Sequence, residues 1–451
     1  MRRPVQLWST HGVDPTVENR QVMNTTSTVE KIAIIGAGPV GISMARALKQ
    51  KAIAYDQFEA GDGVGGNWRH GVYHTAHIIS SRKTTEFPDF PMPADYPDFP
   101  SAAQMLEYLN AYVAHYKLDQ HIEFNTMVEH AKPDETGLWK LQLSNGETRL
   151  YDGVIVCNGH HWDMRMPSYD GTFLGEMMHS KDYKEPSQLK DKRVLVIGGG
   201  NSACDIAAEA ARVARSAHLS LRRGYWFLPK TFYGKPTAEL LTTWMPVWIQ
   251  RLHLELLVKI AVGDYRNYGL MKPDHRIFDH HPTINTELLH YLKHGRIKPH
   301  PDVKRFDGKL VEFVDGTREE FDLVVCGTGF NVSIPFLEPG VIDIDGAIVK
   351  TQWGVIAPHH RQLYIYGWAQ ARYGFGPLLT PASDMIADLI LLQRRLNHPI
   401  GEILAKMKQP LPKTHLLDPM AALRMVKSAR MSLWMLPLVD KYLMSDGKPA
   451  R

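Results

Sequence analysis

Short, continuous apolar runs that close on glycine set the pattern of this chain, and the segment after each run switches to helical spacing. Residues 31–35 are such a run; Gly36-Ala37-Gly38-Pro39-Val40-Gly41 follows, and apolar positions over 42–48 predict a helix. Residues 52–59 predict a second strand, ending in the acid Glu59, 23 positions after Gly36. The same succession returns far along the chain. Val194-Leu195-Val196-Ile197 leads into Gly198-Gly199-Gly200-Asn201-Ser202-Ala203-Cys204, then an alanine-rich helix over 205–215 and a strand over 218–221 that ends in Arg222-Arg223-Gly224. Strand, glycine turn and helix N-terminus in this order form the geometry that cradles a pyrophosphate. The predicted fold class is α/β, with two Rossmann-like dinucleotide-binding domains.

The two units differ where the second strand ends. An acid there suits the free hydroxyls of an adenosine ribose, whereas an arginine suits a 2′-phosphate. Glu59 thus assigns FAD to the first site, and Arg222 with Arg223 assigns NADPH/NADP+ to the second. Expected FAD contacts are Gly36, Gly38, Pro39, Gly41 and Glu59, joined by Gly66, Asn67 and Trp68, where glycines admit a close backbone approach. Expected NADPH contacts are Gly198, Gly200, Asn201, Ser202, Ala203, Ser220, Arg222 and Arg223. Ala203 stands where a third glycine is usual, a position that governs only helix–strand packing.

Residues 122–124, 139–143 and 149–157 predict strands, the last two joined by an Asn145-Gly146 turn. The stretch 151–160 has a near copy in 321–330: an acid, an apolar strand and a glycine turn. The copies are read as the chain leaving one nucleotide domain and re-entering it. An NADPH domain over 176–320 is then inserted into a discontinuous FAD domain over 30–175 and 321–451, behind a polar extension over 1–29. Prolines through 87–100 bar a regular element and demand a loop that wraps over something. Ser101 then caps a helix over 102–116. Segments 239–263 and 421–444 are amphipathic; such segments serve core packing or a subunit contact, as in a homodimer, more often than a membrane surface.

Composition narrows the class. A length of 451 residues calls for two domains, and 44% hydrophobic with 22% charged residues is ordinary for a soluble globular protein. A net charge of +4 gives no reason to invoke nucleic acid. Neither a signal-peptide core nor a run of about 18 uncharged apolar residues is present. Cys157, Cys204 and Cys326 form no C-x-x-C, and the 22 histidines include no H-E-x-x-H, so neither a redox disulfide nor a metal site is expected. A reduced, cytoplasmic setting follows.

Phe173, Gly175, His179 and Tyr183, with Lys184 next, match F-x-G-x-x-x-H-x-x-x-(Y/F), the fingerprint of the class B flavin-containing monooxygenases. Both glycine motifs, Glu59, the Gly65–Trp68 run, Phe87-Pro88-Asp89-Phe90-Pro91 and Thr328-Gly329-Phe330 fit that family too, which the chain resembles over roughly residues 30–390. The resemblance adds Thr328 and Gly329 to the expected cofactor contacts. It implies that NADPH reduces FAD by hydride transfer and that O2 adds at flavin C4a. The hydroperoxide then passes its distal oxygen to a soft nucleophile, the sulfur of a thioether or the nitrogen of an amine in a small organic substrate. NADP+ stays beside the flavin and excludes water. His179 is then a hinge or packing residue rather than a proton shuttle.

The related Baeyer–Villiger enzymes, which oxygenate ketones, carry tryptophan at the Tyr183 position, so heteroatom oxygenation is the expected reaction. One departure stands out. The family places an asparagine near the flavin just upstream of the Phe87 loop, and residues 77–85 contain none. Ser80 and Ser81 are the expected substitutes and the candidate catalytic residues, with a hydroxyl that reaches less far than a carboxamide. That shortfall predicts leakage to H2O2, as an NADPH oxidase, or a range widened to ketones. A pyridine-nucleotide disulfide reductase shares the two-site fold but needs a cysteine pair beside the flavin.

Overall fold

Two parallel sheets of five strands divide the chain. The first runs in the order Leu363–Ile365, Gly153–Val156, Ile32–Ile35, Tyr55–Phe58, Ile122–Glu123. The second runs Ile297–His300, Ser216–Ser220, Arg193–Ile197, Leu323–Cys326, Glu176–His179. The computed structural model describes residues 30–241 and 245–443; the expected extension over 1–29 lies outside them, as does the end of the 421–444 segment. Ile32–Ile35 and, past Arg193, Val194–Ile197 are buried throughout, which is why each reads as an unbroken apolar run. Ile34 lies opposite Ile155 and Gln57, and Val196 opposite Val325 and Leu219.

The two units are built alike. From the outer strand of each sheet the chain makes a three-stranded antiparallel meander before returning beside the central strand. The first meander is Val128–Pro133, Trp139–Leu143 and Thr148–Tyr151; the second is Val303–Gly308, Leu310–Phe313 and Arg318–Glu320. This repeat corrects the expected domain boundary at 320/321. Leu323–Cys326 pairs with Arg193–Ile197 in the second sheet, and Asp170–Phe173 already pairs with the second meander. The second unit therefore begins ahead of residue 176 and ends past 326. A strand flanked by parallel neighbours is apolar whichever sheet holds it, so the near copies at 151–160 and 321–330 mark one position in each of two units. Ile334, Phe336 and Leu337 pack back onto the first meander, and Leu363–Ile365 completes the first sheet.

Helices fix the first unit. Pro39–Gln50 packs along Gly376–Gln393, where the hydroxyls of Ser43 and Ser383 meet at 2.9 Å. Arg46, 3% exposed, is held by Asp384 at 2.9 Å and Asp89 at 3.3 Å. Leu48, Met385 and Ile386 are fully buried there, and each such side chain contributes about 1.5–3 kcal/mol. Ser101 caps Ala102–Tyr116 in a capping box with Gln104. The proline-rich loop wraps over that helix. Phe87 and Phe90 pack on Tyr108 and Tyr112, and the Tyr108 hydroxyl accepts from Phe87 N–H (2.8 Å) while donating to Phe90 O (2.5 Å).

Within segment 239–263, a helix spans Val247–Ala261 with Pro246 as its N-cap. Leu254 and Val258 face the core, while Trp248, Leu252, Leu256 and Ile260 are exposed at four-residue spacing. Among the described residues no helix is long and apolar enough to cross a membrane.

Candidate functional site

Each parallel sheet delivers one glycine turn at the C-terminal edge of its central strand. Gly36 has φ +106°, and a Cβ there would lie 2.5 Å from Cys157 O. A Cβ on Gly41 would lie 2.0 Å from Gly36 O, so only glycine lets the helix Pro39–Gln50 start so close to the strand. Gly38 is the N-cap and Pro39 the first helical residue, a position where the missing N–H costs nothing. Gly65 N–H donates to Ala37 O at 3.1 Å, and a Cβ on Gly66 would reach Gly38 Cα at 3.0 Å. Two glycine loops thus touch, and the carboxylate of Glu59 closes the group by accepting from Ala37 N–H (2.7 Å) and Gly61 N–H (2.8 Å). Asn67 packs its side chain against Gly71, and Trp68 is shared between the cores of both units. The expected FAD contacts therefore converge on one edge of the first sheet.

The second turn repeats the first. Gly198 has φ +124°, and a Cβ there would lie 2.3 Å from Gly327 O. Gly200 caps the helix Asn201–Val213, with open space where its Cβ would stand. Ala203 sits against Gly327, whose own Cβ would fall 2.5 Å from that of Ala203. The close approach usually assigned to a third glycine in the turn is made here by a glycine just past the end of the facing strand. Asn201 Oδ1 accepts from Ile284 N–H at 2.8 Å, Ser202 lies beside the Tyr73 hydroxyl, and Ser220 donates to Pro301 O at 2.7 Å. The first and last of these side chains support the loops around the turn. Arg222 is exposed, whereas Arg223 stacks over Tyr225 (5.3 Å) and meets His280 at 3.2 Å. The two arginines are thus not equivalent, and Arg222 is the one presented to solvent.

Thr328 and Gly329 follow directly on Gly327 beside the second turn, where the linker leaves the second unit. The Thr328 hydroxyl donates to Arg165 O (2.5 Å), and Arg165 donates back to Thr328 O (2.8 Å). Asn331 N–H donates to Asp163 O at 2.8 Å, and Met164 pairs with Phe330. The outgoing and returning linkers thus run side by side. His179, 1% exposed, donates from Nε2 to Gly329 O (3.0 Å) and accepts from Lys181 N–H at Nδ1 (3.1 Å). Both contacts use the neutral ring, and burial pulls its pKa down.

Ser80 and Ser81 part company. Ser81 is fully buried and caps the short helix Arg82–Thr85, its hydroxyl accepting from Thr84 N–H in a capping box. Capping engages the Ser81 hydroxyl as an acceptor within its own turn. Ser80 meets Thr85 at 2.7 Å and lines a cavity of about 150 Å³ with Ile79, His281, Ile284, Tyr373 and Phe375. Ile284 and His281 come from the second unit, so this cavity lies between the two. Burial keeps His281 neutral by lowering its pKa.

A network that local sequence did not reveal ties the units together beside this cavity. Tyr73 donates to Asp205 (2.6 Å), Asn285 donates to the other oxygen of Asp205 (2.6 Å), and Thr75 and Tyr183 both donate to Glu209. Burial raises the pKa of Asp205. Tyr183, the last fingerprint position, is thus the donor to a buried acid on the helix of the second turn. Cys157, Cys204 and Cys326 are buried free thiols, each pushed up in pKa by burial, so no cysteine pair serves a disulfide exchange.

Sequence and structure comparisons agree with this geometry. Flavin-containing monooxygenase 5 of Homo sapiens is 35% identical over 344 residues, covering 70% of this chain and 64% of that protein. Flavin-containing monooxygenase 3 of Rattus norvegicus is 34% identical over 364 residues, covering 73% and 67%. The chain thus spans a little under two thirds of the first of these relatives. Among solved structures, a closed form of cyclohexanone monooxygenase superposes with a TM-score of 0.71 at 16% identity, covering 90% of this chain and 98% of that one. S-allyl-L-cysteine S-oxygenase from Allium sativum gives 0.64 at 20% identity, covering 92% of each. At these identities the structural likeness establishes the fold. The flavin-binding monooxygenase-like family model matches residues 29–370, spanning both glycine turns and the linkers between them, and the chain belongs to that family.

Proposed function

We propose that this chain is an NADPH- and O2-dependent flavoprotein monooxygenase acting on the sulfur or nitrogen of small organic substrates. The observation that carries this reading is the pair of glycine turns on equivalent sheet edges, one closed by Glu59 and the other followed by exposed Arg222. The first site fits FAD, because Gly36, Gly41 and Gly66 let strand, helix start and second glycine loop close up on one another, and Glu59 beside them is the acid expected to meet the ribose. The second fits NADPH, with open space at Gly200 before the helix N-terminus and Arg222 available to a 2′-phosphate. Solved structures of the same fold include an enzyme described in complex with FAD and NADP, which supports this pairing.

Bound flavin, once reduced, supplies the activated oxygen. The protein's part is placement and exclusion of water. Trp68 and the Tyr73–Asp205 and Thr75–Glu209 hydrogen bonds hold the two units face to face. The interdomain cavity, walled by Ile79, Ile284 and Phe375, suits a small apolar group bearing a soft nucleophile. Ser80, whose hydroxyl meets that of Thr85, is the serine of the pair that lines it. Ketone oxygenation is not favoured, since position 183 carries tyrosine where the Baeyer–Villiger enzymes carry tryptophan.

Purified protein should be yellow, bleach faster with NADPH than NADH, and consume O2 with stoichiometric sulfoxide or N-oxide when a thioether or tertiary amine is present. Absence of flavin, or bleaching without any oxygenated product from thioethers, amines or ketones, overturns the reading.

A further inference from the structure

We propose that His218, His300 and Glu319 form a binding site for a divalent ion of the zinc type, on the outer edge of the second sheet. The three ligand atoms all lie within 4.8 Å of one another. His218 Nδ1 and His300 Nε2 are 2.9 Å apart, and the rings are nearly parallel at 15°. The histidines are 8% and 7% exposed, and two elements shape the pocket from the other side. Phe313 stacks on His300 with ring centroids 4.1 Å apart, and Phe321 meets His218 edge-on at 4.9 Å. Glu319, on the last strand of the meander, stands at the partly open side and is paired with Lys298.

Strand pairing creates this juxtaposition. Ser216–Ser220 and Ile297–His300 are parallel, with His218 opposite Lys298 and Ser220 opposite His300, so the two imidazoles meet on one face as diagonal neighbours. A tetrahedral zinc ion needs ligand atoms roughly 3.3 Å apart, from metal–ligand bonds of about 2.0–2.2 Å. The imidazole pair is already near that separation, and the carboxylate closes by rotating away from Lys298. That exposed ion pair costs little to break. The facing ring nitrogens, already paired with each other, are of the type that ligates zinc once a tautomer shift frees both lone pairs. Two nitrogens and one oxygen select zinc, cobalt or nickel over magnesium or calcium, whose sites are built from oxygen. A bound ion would brace the sheet edge against the meander.

The site is tested on the flavin-loaded protein by equilibrium dialysis against Zn2+ and by titration with Co2+, read above 550 nm where flavin is transparent. One saturable ion per chain, intense tetrahedral cobalt bands and a zinc-dependent rise in Tm are expected. His300→Asn should lose binding at least tenfold, and Glu319→Gln, at a half-exposed position that leaves the fold intact, should weaken it several-fold. Octahedral cobalt spectra, or equal zinc binding by wild type, His300→Asn and Glu319→Gln, would assign the ion to other histidines and overturn the site. If His300→Asn fails to fold, an unchanged affinity in Glu319→Gln alone has the same force.

Discussion

At the scale of single residues, neighbours in sequence divide their labour. Arg222 faces solvent while Arg223 is stacked on Tyr225, so the former is the one expected to read a 2′-phosphate. Arg222→Ala should raise KM for NADPH by about tenfold and leave KM for NADH unchanged, as losing one charge-assisted contact costs roughly 1.5–3 kcal/mol. Equal effects on both nucleotides in steady-state assays would reject that assignment. Ser81→Ala should cost about 1 kcal/mol in urea unfolding through the lost helix cap, without altering how NADPH bleaches the flavin. His179 contributes to the pH dependence. Its folded pKa lies below the ordinary value of about 6.5, so the unfolded chain binds the proton first. Stability is fully present above pH ~6.5 and declines as pH falls below it, because protonated Nδ1 can no longer accept from Lys181 N–H. A His179→Gln variant should show a shallower fall in Tm between pH 7 and 5.

At the scale of elements, the glycine turns were legible because the backbone itself demands glycine there. Gly36, Gly41 and Gly198 each approach a carbonyl that any Cβ would strike. Gly198→Ala should therefore weaken NADPH binding and lower stability by more than 1 kcal/mol, from both positive φ and the clash with Gly327 O. Thermal unfolding together with nucleotide titration measures both effects. The Tyr73–Asp205, Thr75–Glu209 and Tyr183–Glu209 bonds were not legible. The partners of Tyr73 and Thr75 lie more than 130 positions away, and even Tyr183 and Glu209 sit on separate elements with no shared periodicity. A buried acid within a helix, as at Glu209, was the one available sign that donors must converge from elsewhere. The boundary at 320/321 failed for a related reason: an apolar strand does not record which sheet it joins, and only pairing with Arg193–Ile197 decides it.

At the scale of the whole molecule, the chain is two copies of one plan with the second spliced into the first. The splice is narrow, since Met164 pairs with Phe330 and Asp163 with Asn331. This has a bearing on the order of folding. While the inserted unit is unfolded, the strand Leu363–Ile365 can reach its place beside Gly153–Val156 only by closing a loop that contains some 160 disordered residues, at an entropic cost of about 4–5 kcal/mol. Once the insert has folded, its two ends already touch and that cost is gone. The inserted unit should therefore fold first and act as a clasp for its host. In pulse-labelling hydrogen exchange, amides of Arg193–Ile197 should gain protection before those of Leu363–Ile365; simultaneous or reversed protection would show that the host sheet closes unaided. A sheet whose first and last strands lie on either side of an insert would thus owe the timing of its completion to the domain between them.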